Sequence, residues 1–198
     1  MKTVVFILGL GLLLGACGGS GDHHHDHDMP ADQGYEEIAA DEMESHADVV
    51  PVPDELSEVF DGVLNRYLHL TEVLVASDAD EAATAADELH DAAAQFDDLD
   101  AGEEWTDRLD GWRVTLSQRS GAIASSSDVD DQRRDFEALS ETIITMVEHL
   151  GHQKGTLYHQ RCPMVNGGNG DWLSTEERIL NPYHGERMLN CGSTLRTM

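Results

Sequence analysis

Positive charge is what this chain has least of. Twelve Lys and Arg residues face thirty-nine Asp and Glu across 198 positions, a formal net charge of −27. Binding to nucleic acid rests on Lys and Arg displacing counterions from phosphates, so nucleic acid is not an expected partner. Catalytic signatures are missing as well. There is no Ser/His/Asp constellation and no glycine-rich phosphate loop, and the acidic pairs read as solvated helix faces, so no enzyme is expected. No alternating strand pattern of any length and no internal repeat stands out. The one clear apolar run, Val4 to Leu14, is too short for a stable membrane span. Cysteine is limited to Cys17, Cys162 and Cys191.

What charge there is falls unevenly. From Arg161 to the C-terminus four Arg balance four acidic residues. The excess of acid therefore belongs to the upstream part, where it solvates the surface and attracts cations.

The N-terminus reads as targeting rather than fold. Lys2 precedes the apolar run, which ends in Leu14-Gly15-Ala16-Cys17. This resembles a bacterial lipoprotein signal with its lipobox. The resemblance implies cleavage before Cys17, lipidation of its sulfur, and anchoring to the periplasmic face of a membrane at about 0.8 kcal/mol per buried CH₂. Gly18 after the cysteine points to the outer membrane. Residues 18–50 then form a tether. Ten carboxylates and no Lys or Arg lie between Asp22 and Val50, and so few apolar residues cannot offset the entropy of ordering. His23, His24, His25 and His27 sit in this stretch. Imidazole suits Cu(II), Ni(II) and Zn(II), so the tract is a candidate for loose, fast metal capture.

Residues 51–160 read as a four-helix bundle. Pro53 with Asp54-Glu55 suits a helix N-terminus, and apolar residues recur at helical spacing from Leu56 to about Ala76. Asp78 is a plausible N-cap for a second helix with an alanine-rich stripe. A third carries Trp105, Leu109, Trp112 and Leu116, contains Gly111 and is expected to end at Gly121. Ser125 to Asp128 is a loop. The fourth is expected from Val129, bent at Gly151 and Gly155 and ended by Pro163. On it, His149, His152 and His159 would flank the core stripe, with His159 near one turn before Cys162. Short connections make an all-α, up-down antiparallel bundle the natural architecture.

Residues 161–198 form a turn-rich Cys/Met lobe, expected to pack on the bundle. Cys162 and Met164 flank Pro163 in what reads as an extended piece, where alternate side chains share a face. Ser174-Thr175-Glu176-Glu177 has capping-box spacing for a short helix to about Leu180. Asn181-Pro182-Tyr183-His184-Gly185 reads as a turn. Met188 and Cys191 are three apart, one helical turn, with Gly192 as a left-handed terminator. Thiolate and thioether are soft ligands that select Cu(I) and its relatives. Cys162, Met164, Met188 and Cys191 thus make a candidate site for Cu(I) or Ag(I), with His159 and His184 as substitutes. A zinc site from Cys162, Cys191, His159 and His184 has valid ligand chemistry but leaves both Met unexplained. In an exported, oxidising compartment an even cysteine pair equally reads as a disulfide, Cys162–Cys191, with both Met packed as core and the chain a structural or docking module.

The order Cys-Pro-Met, Trp-Leu-Ser, Asn-Pro-Tyr-x-Gly, Met-Leu-x-Cys-Gly resembles a bacterial domain of unknown function. That domain is often found at the C-terminus of periplasmic adaptor subunits of copper/silver efflux systems, and it also occurs alone in exported proteins. The likeness covers Pro51 to Met198 loosely and Cys162 to Gly192 closely. It implies a helical, heavy-metal-associated domain with Cys162, Met164, Met188 and Cys191 as ligands, and a copper efflux or donor protein as partner. His184 departs from the aromatic residue usual after Asn-Pro-Tyr. The chain also has no room for the barrel and hairpin of an efflux adaptor, so a stand-alone lipoprotein is expected.

Overall fold

A computed structural model describes residues 50–168 and 170–198. The expected signal segment with Cys17, and the tract with His23, His24, His25 and His27, lie outside the described residues. The described residues belong to one compact unit.

Among the described residues four helices come first, and each packs on its predecessor, with α1 also against α4. Helix α1 is Asp54–Ala76. Asp54 and Glu55 sit in its first turn, where the helix dipole favours acid. It stops at Ser77, which takes a left-handed conformation (φ 61°) and donates its N–H to Leu74 O. Helix α2 is Ala79–Ala94, and its N-cap is Asp78, whose carboxylate accepts from Glu81 N. A short 3₁₀ turn, Gln95–Asp98, leads to α3, Glu103–Ala124. Helix α3 runs past Gly121, contrary to the expected stop. The glycine lies against α2, where a Cβ would stand 3.9 Å from His90 Nδ1. That ring nitrogen in turn meets Ser117 O and Ser120 Oγ, both at 3.2 Å. A Cβ at 121 would make only ordinary contact, so the site does not demand glycine; the packing of α3 on α2 carries the helix through a propensity penalty of roughly 1 kcal/mol.

Helix α4, Val129–Leu150, is capped by Asp128, which accepts from Asp130 N and Asp131 N. It ends thirteen residues before Pro163, where the stop was expected. Gly151 takes φ 70° and closes the helix with N–H to Val147 O. The chain then forms a three-stranded antiparallel sheet: β1 Tyr158–Cys162, β2 Gly170–Ser174 and β3 Ser193–Thr197, in order β2-β1-β3. The architecture is therefore mainly helical but not all-α. The capping-box expectation also fails. After β2 no helix forms at residues 175–180, and Ser174 Oγ instead accepts from Glu176 N at 2.9 Å in a local turn. No helix among the described residues is long and apolar enough to cross a membrane.

The core joins helices and sheet. Tyr67 stacks on Phe136 at 5.5 Å, Phe136 meets Tyr183 at 5.5 Å, and Tyr183 meets Trp172 edge-on at 6.2 Å. This aromatic row runs from α1 through α4 into the lobe. Such pairs add about 0.5–1.5 kcal/mol each beyond their buried area.

Candidate functional site

The lobe's chemistry is set by which sheet face each residue takes. Opposed residues in an antiparallel ladder share a face, and neighbours along a strand alternate. The register pairs Arg161 with Asp171 and His159 with Leu173, and pairs Cys162 with Gly170 and Gln160 with Trp172. Arg161, Asp171, His159 and Leu173 thus occupy one face. Cys162, Gln160 and Trp172 occupy the other.

On the first face Asp171 is a buried carboxylate held from two sides. Arg161 grips it with Nε to Oδ1 and with Nη2 to Oδ2 at 2.7 Å. His159 Nε2 lies 3.0 Å from Oδ2. Burial alone would raise this carboxyl, but the hydrogen bonds from Arg161 and His159 and their charges outweigh it, and the net shift is below the ordinary value. A carboxylate only accepts, so His159 carries its proton on Nε2. Its Nδ1 is buried with no hydrogen-bond partner among the described residues. His159 was expected one helical turn from Cys162. On a strand, three residues apart means opposite faces, so it is turned away from the cysteine.

On the second face Cys162 is fully buried, and its Sγ lies 3.2 Å from Sγ of Cys191, which is half-buried. Both are free thiols. The neighbour's sulfur, partial burial and the neighbour's charge, in that order, push the Cys191 thiol above its ordinary value. Cys191 reaches this place through a turn built on Asn181, which is itself buried. Asn181 Nδ2 donates to Cys191 O at 2.8 Å, and its Oδ1 accepts from Tyr183 N at 2.8 Å and His184 N at 3.2 Å. Its backbone N–H donates to Leu189 O, and its carbonyl accepts from Gly185 N. The expected turn at 181–185 is present, and a 3₁₀ turn, Gly185–Met188, follows it. Cys191 N then donates to Met188 O at 2.9 Å. Gly192 has φ 144°, far from a helix-terminating left-handed residue but in the positive range that side chains rarely adopt. Room excludes a side chain as well: a Cβ would stand 2.8 Å from Arg161 O and 3.0 Å from Trp172 Cη2.

The two methionines do not join the thiols in a buried cluster. Pro163 and Met164 form a turn rather than an extended piece, and Met164 is 63% exposed against 0% for Cys162. Met188 is 37% exposed. Neither packs as core, which the disulfide reading had required. His184 faces a cleft of about 180 Å³ also lined by Met164, Tyr183 and Arg187. Its Nε2 is enclosed and has no hydrogen-bond partner among the described residues. Burial first, then the charges of Arg187 and Arg133, lower its pKa, with Asp130 partly opposing.

Two adjacent thiols can close to a disulfide or jointly hold a thiophilic cation. A structural zinc site needs four converging ligands. Among the described residues no three His, Cys, Asp or Glu side chains come together in metal-binding geometry. Cys162, Cys191, His159 and His184 therefore do not assemble as a zinc set. Sequence reasoning found the thiols but missed Asp171 and Asn181. Asn-Pro is a turn-initiating dipeptide and flagged the turn at Asn181. Nothing local marks Asp171, because its partners arrive only once β1 and β2 pair.

A family model described as "Protein of unknown function (DUF3347)" matches residues 63–155, a little under half of the chain. The match begins within α1 and ends in the segment after α4, so it covers the helices and stops short of both cysteines. No curated protein and no solved structure matches the chain.

Proposed function

We propose that this chain is an exported, lipid-anchored protein that takes up Cu(I) or Ag(I) as cargo at Cys162 and Cys191. The observation that carries the reading is the pair of reduced sulfurs 3.2 Å apart, one sealed in the lobe and one half-exposed. Two thiolates on a fixed scaffold are a donor set for a soft monovalent ion, and they fall short of what zinc requires. The half-exposed Cys191 gives an entering ion its first contact, and Cys162 completes the grip. Lipidation at Cys17 would hold the chain at a membrane face, with His23, His24, His25 and His27 collecting Cu(II) nearby. A copper efflux or donor protein would be the partner in such handling. Anaerobic competition titration of the full chain tests the reading. One tightly held Cu(I) per chain is expected. Full affinity retained in the Cys162→Ser/Cys191→Ser protein would sink it.

The same sulfur separation favours one rival. Closing Cys162 to Cys191 as a disulfide would span a loop of about thirty residues and stabilise the lobe by roughly 3 kcal/mol. A mass two hydrogens lighter than the reduced chain, in protein isolated without reductant and unable to take up Cu(I), would establish that alternative.

A further inference from the structure

We infer that the cleft between the start of α4 and the Pro182–Arg187 turn is a second, outer soft-metal site. In it His184 Nε2 and Met164 Sδ hold Cu(I) or Ag(I). This rests on the cargo proposed above but uses none of that site's ligands.

Three observations converge. The first is the nitrogen. His184 Nε2 is enclosed, yet no donor or acceptor meets it among the described residues. An unmet buried polar atom costs about 1–3 kcal/mol, and a ligand at that nitrogen would offset the loss. The backbone there is fixed rather than loose, because His184 N donates to Asn181 Oδ1. The second is the sulfur. Met164 lines the same cleft and is largely exposed, so its thioether faces an opening and not the core. Imidazole and thioether together suit copper and silver, while hard divalent ions seek oxygen. The third is charge. Arg133, Arg134 and Arg187 line the cleft, and each is engaged by an aspartate. Arg187 binds Asp130 through both terminal nitrogens, Arg133 donates to Asp130, and Arg134 to Asp131. Asp130 serves two of the three arginines, and Glu137 also lines the cleft, so three arginines stand against three carboxylates and the wall is formally neutral. That suits a monovalent ion held by soft donors better than a divalent ion that needs uncommitted carboxylates.

The chain also links the two sites. Cys162 and Met164 are two residues apart across Pro163, and the first points into the lobe while the second points out of it. The two proposed sites are thus neighbours along the chain, on opposite sides of Pro163.

Ag(I) is the probe, because it does not change oxidation state with the thiols. The full-length Cys162→Ser/Cys191→Ser protein is titrated and followed by the Met164 methyl signal and the side-chain nitrogen signals of His184. Both are expected to shift together before one equivalent is added. His184→Gln and Met164→Leu, each added to that background, should weaken the response at least tenfold with an unchanged circular dichroism spectrum. Met164 and His184 signals that stay fixed through the first equivalent would overturn the outer site. So would a Met164→Leu protein with undiminished response at His184. Tight Cu(I) binding in an otherwise native His184→Gln/Met164→Leu protein, alongside fixed signals in the cysteine-free protein, would remove the outer site and leave the thiol site standing. Joint shifts in the cysteine-free protein, alongside a native chain whose Cu(I) affinity ignores both cysteines, would keep the outer site and remove the thiol reading.

Discussion

Five hydrogen bonds converge on Asn181: its Nδ2 donates to Cys191 O, its Oδ1 accepts from Tyr183 N and His184 N, its backbone N–H donates to Leu189 O, and its carbonyl accepts from Gly185 N. Alanine at this position leaves the buried Tyr183 N–H and the part-buried His184 N–H and Cys191 carbonyl unmet, at about 1–3 kcal/mol for each that water cannot reach. Asn181→Ala should therefore lower stability by roughly 3 kcal/mol in urea denaturation, and it should weaken Cu(I) binding without touching a sulfur. Asp171 makes a prediction about pH. Its folded pKa lies below the ordinary value. The stability it contributes is complete above the ordinary carboxyl range and is lost as pH falls through its own lower value. The stability gap between the native chain and Asp171→Asn should be full at pH 6 and shrink steadily below about pH 4, as read by thermal melts across that range. Both residues mark the limit of a sequence reading. Cys162, Cys191 and the 181–185 turn announce themselves by chemistry and by Asn-Pro. Asp171 is one acid among thirty-nine, and nothing but the strand register singles it out.

At the scale of elements, Arg133 joins three parts of the chain. It is 5% exposed, and it donates to Leu74 O at the end of α1, to Ser77 Oγ, to Pro182 O in the lobe, and to Asp130 on its own helix. Gly185 is pressed against this junction. A Cβ there would overlap Ser77 Oγ and stand 2.6 Å from Arg133 Nη2, at a backbone φ of 52°. Arg133→Met keeps bulk but strands two carbonyls, so a loss of about 3 kcal/mol is expected by denaturant unfolding. Tyr67 ties α1 to the sheet. Its hydroxyl accepts from Leu173 N at 3.1 Å and meets Ser140 Oγ at 2.5 Å. Complete burial pushes its pKa up to about 12, against smaller opposing hydrogen bonds. Ionising it costs the fold, so this contribution is intact below pH 10 and fades as pH rises toward 12. Burial also raises Tyr183 well above the ordinary value. Phenolate absorbance at pH 11 should lack the contribution of Tyr67 and Tyr183 until the chain unfolds.

The helices were legible because apolar spacing and caps are local. Asp78 is the N-cap the sequence reading gave, and α4 starts at Val129 as the spacing indicates. The strands were not legible. Strand β1 reads Tyr-His-Gln-Arg-Cys, and its buried polar residues find partners only across the fold: His159 with Asp171, and Gln160 with the carbonyls of Glu176 and Glu177. Strand β3 is exposed throughout. Neither shows the alternation that betrays a half-buried strand, and nothing local distinguishes β1 from a continuation of the helical pattern upstream. Gly151 was seen as a bend, yet at φ 70° it ends the helix. That one misread turn carried His159 to the wrong side of the cysteines.

For the whole molecule, the division of charge matters most. The C-terminal 38 residues are balanced while the rest carries the acid. The acidic remainder keeps the chain solvated and raises the local concentration of cations, and in the proposed reading the soft donors would discriminate among them. Acid alone would collect any cation, so the account stands on the sulfurs. X-ray absorption at the copper edge of the fully reduced, Cu(I)-loaded chain addresses this most directly. The account predicts a first shell dominated by sulfur in the native protein, and its loss in the Cys162→Ser/Cys191→Ser protein. A first shell of nitrogen and oxygen alone, unchanged when both cysteines are replaced, would contradict it.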